Sequence, residues 1–137
     1  MNKSKILSIF LVIFFLFILS SASVFAETDA QMRTIAEPMM DNILESIKNR
    51  DRNQYVKDFD SAMKMATTKK SFIETCDFIK SRFGDYDSRE FYKVEKEDGY
   101  IKVIWKAKYS KAEKDVRLEI FLKKYDNKWL IFGILFT

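Results

Sequence analysis

Two hydrophobic periods divide the chain near Gly84. Before it, apolar residues recur at steps of three and four, as on a helix with one buried face; after it they recur at steps of two, as on a strand. Met32, Ile35, Ala36, Met39, Ile43, Leu44 and Ile47 form one stripe that predicts a helix over about Asp29–Lys48. Pro38 lies inside this stripe and lacks an amide donor, so either two helices meet near Glu37 or one helix kinks there. Asp51 is the expected N-cap of the second helical segment. Tyr55, Val56, Phe59, Met63 and Ala66 predict one or two short helices between Arg52 and about Met65, with Asp58 and Asp60 marking a break. Thr68 caps a third helix carrying Phe72, Cys76, Ile79 and Phe83, and Gly84 is placed to end it in left-handed conformation.

Four strands are expected from there on. The first, about Ser88–Lys96, leads into Asp98-Gly99, a strong signal for a type I′ hairpin. In the second, Tyr100–Tyr109, Ile101, Val103, Trp105, Ala107 and Tyr109 share one face and Lys102, Lys106 and Lys108 the other. In the third, Val116, Leu118, Ile120 and Leu122 alternate with polar residues; Asp126-Asn127 turns the chain into a last strand, Lys128–Phe136, apolar on both faces. Helices first and an antiparallel meander second predict an α+β domain in which N-terminal helices cover one face of a curved four-stranded sheet.

The first 26 residues stand outside that scheme. They hold Lys3 and Lys5 but no acid, a nearly unbroken apolar run from Ile6 to Leu19, and small residues up to Ala26. This pattern predicts a secretory signal peptide over 1–26, cleaved near Ala26, and a single domain over 27–137, exported to the periplasm or the extracellular space. Ile6–Ala26 carries no charge and is long enough to span a bilayer, so the alternative is a single N-terminal membrane anchor.

Removing that segment lowers the formal charge from +4 to +2, too little to argue for a nucleic-acid partner. The charge is unevenly spread: residues 27–99 carry 13 cations and 16 acids, and residues 100–137 carry 9 cations and 4 acids. The absence of His rules out His-based catalysis and His metal sites, and one Cys rules out an internal disulfide.

Several residues of the helical half and the sheet together resemble the nuclear transport factor 2-like superfamily, cone-shaped α+β domains of the cystatin-like class. The likeness is nearest to small exported prokaryotic members with a domain of unknown function. It rests on Ala36-Glu37-Pro38, Asp41-Asn42-Ile43-Leu44, the Asp51 turn, Tyr55-x-x-x-Phe59-Asp60-x-x-Met63-Lys64 and Phe83-Gly84, and it spans about Ala30 to Thr137. These are packing motifs. The resemblance implies an apolar pocket between helices and sheet, used by relatives for ligands, for catalysis or merely as core.

The candidate chemistry is sparse. An apolar pocket lined by Tyr55, Phe59, Met63, Trp105 and Trp129 would take a small apolar ligand, unless these side chains simply fill the cone. An enzyme of isomerase or dehydratase type would use Asp58 or Asp60 as base; the competing reading is that both cap helix ends. No cofactor is expected, and the overall expectation is a non-enzymatic binding or interaction module. An inhibitor of extracellular hydrolases, by analogy with cystatins, lacks that family's Gln-x-Val-x-Gly loop. Asp85-x-Asp87-x-Arg89 imitates the start of a calcium loop, but Glu90 and Lys96 stand where Gly and Glu are needed, so a solvated turn is expected. Cys76 and the methionines fall where core is expected, which favours packing over redox or copper chemistry. Lys102, Lys106 and Lys108 are candidates for contact with an anionic surface. The last strand is the most informative. If Trp129, Ile131 and Leu135 fill the cone, then Leu130, Phe132, Ile134 and Phe136 point outward beside Ile104 and Phe121 and make a protein contact, such as a homodimer. Alternatively, Gly133 marks a bulge that re-aims the strand.

Overall fold

The computed structural model describes residues 27–137; the predicted signal segment lies outside them. Four helices come first: α1 (Asp29–Asn49), α2 (Arg52–Tyr55), α3 (Ser61–Ala66) and α4 (Lys69–Phe83). Four strands follow: β1 (Tyr86–Glu97), β2 (Tyr100–Tyr109), β3 (Val116–Tyr125) and β4 (Lys128–Phe136). They pair as a simple antiparallel meander in the order β1-β2-β3-β4. The expected α+β architecture is present, and the eight elements of the described residues share one core.

Thr28 starts α1 with a reciprocal capping box to Gln31. The helix then runs unbroken past Pro38, which leaves the Thr34 carbonyl without its usual donor. Thr34 and Pro38 are exposed, so water can meet that carbonyl. Met32, Ala36, Met40, Ile43 and Leu44 are buried, so Met40 joins the stripe while Ile35, Met39 and Ile47 flank it. The second segment resolves into two helices because Asp51 caps α2 and Asp60 caps α3. Gly84 ends α4 with φ +83 and ψ −143, outside the left-handed helical basin expected for it. A Cβ there would collide with the Ser110 Oγ, so both backbone and packing select glycine.

The turns exchange roles relative to expectation. At Asp98-Gly99 only Gly99 has positive φ, so this is not the type I′ turn expected there. Asp126 (φ 46) and Asn127 (φ 64) are both left-handed, and it is this pair that closes the β3–β4 hairpin with the I′ sign pattern.

One bulge decides the faces of β4. Phe121 pairs with Gly133 and Leu122 with Ile131, so Phe132 is the extra residue. Up to Ile131 the alternation is as expected, with Trp129 and Ile131 toward the helices. Beyond the bulge it inverts: Ile134 and Phe136 pack against the core, while Leu135 is 43% exposed. The expected outward placement of Ile134 and Phe136 and inward placement of Leu135 are therefore corrected, because a single inserted residue exchanges the two faces.

Candidate functional site

The five expected pocket residues are spread through the packed interior. Tyr55 and Phe59 meet edge to face at 5.0 Å between ring centroids, and Tyr55 lies 4.7 Å from Phe72. Burial pushes the Tyr55 phenol up to about 12. Phe59 also docks on β4: Asp60 N–H donates to the Ile131 carbonyl and Ile131 N–H to the Asp58 carbonyl, both at 2.8 Å. This short bridge covers part of the β4 edge. Trp105 is fully buried on β2, whereas Met63 and Trp129 are only partly buried.

Asp58 and Asp60 are both occupied. Asp60 Oδ1 accepts from Met63 N–H at 2.8 Å as the α3 cap, and Oδ2 accepts from the Tyr125 hydroxyl at 2.9 Å. Asp58 accepts from the Asn42 amide at 3.1 Å. Cys76 is buried, and burial raises its thiol pKa. The calcium-like segment is mostly strand, since β1 begins at Tyr86; Asp85 pairs with Lys80 and Asp87 accepts from Ser88. Among the described residues no cluster of three or more His, Cys, Asp or Glu could hold a metal ion.

An open depression of about 660 Å³ lies between α1 and the start of β1, walled by Arg33, Tyr86 and Phe91. It contains none of the expected pocket residues. At its edge Arg89 Nη2 donates to Glu37 Oε2 and Asp41 Oδ1, both at 2.7 Å. The Trp105 indole donates to Glu37 Oε1 at 3.1 Å. Burial alone would raise the Glu37 carboxyl, but the donors Trp105, Arg89 and Arg33 hold it below its usual value. The same carboxylates hold Arg89 firmly protonated despite its burial. This cluster joins α1 to β1 and β2; the sequence presents Glu37 and Asp41 in packing motifs and Arg89 in the calcium-like segment, and does not connect them.

The face of the sheet away from the helices is organised differently at its two ends. On one side it carries an ion-pair ladder: Lys93 and Lys102 on Glu95, and Lys102 and Arg117 on Glu119. Ile104 and Glu119 are buried under these long side chains, whose stems cover apolar surface while their charged heads reach outward. Lys106 lies 4.1 Å above the Tyr92 ring and Lys108 pairs with Asp115 at 3.1 Å. The three lysines of β2 thus each have a partner within the chain. On the other side Tyr100, Phe121 and Phe132 form an aromatic cluster with centroids 5.6–6.2 Å apart. Leu130 and the exposed Leu135 adjoin it on β4. Of the expected face residues, Ile104, Phe121, Leu130 and Phe132 are on this face of the sheet, Ile104 buried beneath the ladder. Ile134 is not, and Tyr100 is an unforeseen member. Alternation places Tyr100 with Lys102 and Ile104, so the period-two pattern did contain that signal.

Comparison with known proteins places this geometry in a family. The model of the family described as "Protein of unknown function (DUF3887)" matches residues 40–132, more than half of the chain. The chain belongs to that family. A designed nuclear transport factor 2-like protein of solved structure is similar to this DUF3887 member with a TM-score of 0.51 at 14% identity, covering 77% of this chain and 99% of that one. The structure of Bd1075 from Bdellovibrio bacteriovorus is similar at 14% identity and TM-score 0.45, over 77% of this chain and 40% of that one. No curated protein matches the sequence. The fold is nuclear transport factor 2-like, and the family description assigns no activity.

Proposed function

We propose that this DUF3887 domain is an exported, non-enzymatic binding module that pairs with a second copy of itself through the open face of its sheet. The observation that carries this reading is the Tyr100–Phe121–Phe132 cluster with Leu135 beside it, on a face that no described helix covers. Large exposed apolar clusters rimmed by polar groups mark contact surfaces. The neighbouring ladder mixes both signs of charge. A twofold axis can therefore set cations of one copy against acids of the other, as a self-complementary interface requires.

The interior gives less support to a small apolar ligand, because Tyr55, Phe59 and Phe72 spend their ring surfaces on one another. Catalysis by Asp58 or Asp60 is disfavoured by the bonds that already occupy them. Export rests on the N-terminal pattern of two lysines, an apolar run and a small-residue end.

Sedimentation equilibrium of Glu27–Thr137 tests the pairing. A dimer at high micromolar concentration, lost in Phe132→Lys, is expected; a monomer throughout would overturn it. N-terminal sequencing of the exported protein tests export, with Glu27 expected near the first position.

A further inference from the structure

Met65 stands apart among the large exposed apolar side chains. It is 80% exposed, against 53% for the next, Phe78. The aromatic ones each lie against another side chain: Phe78 against Arg82, Tyr92 against Lys106, and Phe132 against Phe121. Met65 sits near the end of α3, at the corner leading into α4, and that corner is firmly held. Arg52 donates to the Thr67 carbonyl at 2.7 Å and to the Lys64 carbonyl at 3.1 Å, and the Thr67 hydroxyl donates to the Met63 carbonyl at 2.8 Å.

The charge around this corner is one-sided. Residues 52–70 contain five cations, Arg52, Lys57, Lys64, Lys69 and Lys70, and two acids, Asp58 and Asp60; of the cations, Lys70 pairs with Glu74 at 3.9 Å. Both acids are engaged toward the interior, by Asn42 and by Met63 N–H and Tyr125. Lys57, Lys64 and Lys69 are exposed and make no ion pair among the described residues, in contrast to the paired Lys102 and Lys108 of β2.

We infer that the α3–α4 corner is a docking surface for an anionic lipid bilayer. Met65 enters the headgroup–acyl boundary, and Lys64 and Lys69 contact lipid phosphates on either side. An exposed apolar side chain on a firmly held corner, with unpaired lysines at the preceding position and four positions on, matches the two layers of such a surface, one apolar and one negatively charged. A soluble polyanion would use the lysines but not Met65. The N-terminal apolar segment predicts passage of this same chain through a membrane, which puts such a surface within its reach. The inference does not depend on pairing through the sheet.

Co-sedimentation of Glu27–Thr137 with vesicles tests it, using phosphatidylcholine alone or mixed with phosphatidylglycerol, at low and high salt. Binding is expected to the mixed vesicles at low salt, with little to phosphatidylcholine. Lys64→Gln/Lys69→Gln should weaken partitioning by about 25-fold, roughly fivefold per lysine. Met65→Ser should weaken it by about tenfold. Lys102→Gln/Lys106→Gln/Lys108→Gln should leave it nearly unchanged. Every substituted side chain is at least partly exposed, and thermal melts by circular dichroism check that each variant is folded. Equal binding to both vesicle types, absence of binding to either, or loss only in the β2 triple variant would overturn the inference. A Met65→Ser variant that binds as the parent does would show a plain polyanion or acidic-protein site, and would overturn it too.

Discussion

Arg89 ties the helical layer to the sheet through a single guanidinium. Only 11% of its side chain is exposed, and it reaches two carboxylates of α1 from β1 while lying over Trp105. Arg89→Met should cost about 1–3 kcal/mol in urea denaturation, less than for a fully buried pair because Glu37 and Asp41 are partly solvated. The acid limb depends on Glu37. Its carboxyl titrates below the ordinary 4.5, so the unfolded chain takes up the proton first as pH falls. The stabilisation is complete above that value and is lost as pH drops through and below it. Glu37→Gln should make the acid limb shallower, measured as urea midpoints from neutral pH downward. Glu95, held at about 2 by Lys102 and Lys93, leaves part of that limb in place. Cys76 gives a complementary check. It is buried and its thiol is raised, so it should resist thiol reagents until the protein unfolds.

At the scale of elements, caps and turns set the boundaries. Asp60 both starts α3 and accepts from Tyr125, so Asp60→Ala should cost about 1–2 kcal/mol and loosen the contact between α3 and β4. Gly84→Ala forces a Cβ into positive φ and against Ser110, and should cost about 1–3 kcal/mol in thermal or urea unfolding. These features are legible in the sequence because they are local: Asp51, Asp60, Thr68 and Gly84 act within a few residues of themselves. The meander is legible because alternation on β2 and β3 is strict. Three features are less so. The inversion in β4 is only half recorded: Gly133 offers a bulge, which the structure has beside it at Phe132, but a run apolar on both faces does not choose between that and unbroken alternation. The Glu37–Arg89–Asp41 cluster joins residues about fifty positions apart, and nothing in local spacing connects them. The two turns look alike in composition, and only their backbone conformations separate Asp98-Gly99 from Asp126-Asn127.

For the whole molecule, the bulge in β4 divides two adjacent residues between the core and the face proposed for pairing. Ile134 packs against the core, while Leu135 stands on the open face beside Glu119. A lysine at 134 would bring its charge against Ile120 and the core beyond, with no partner for it. Ile134→Lys should therefore cost about 3 kcal/mol or more and lower the urea midpoint sharply. Leu135→Lys meets water instead and should change stability by about 1 kcal/mol or less. Its effect belongs to association. On the open face it would set a charge into the apolar part of the proposed contact, and the dimer should weaken by more than tenfold, as read by sedimentation. Unstrained alternation along β4 would give the opposite pair of results, with Leu135→Lys unfolding the protein and Ile134→Lys dissociating it. Two denaturation curves and two sedimentation runs thus test both the register of the last strand and the face proposed for pairing.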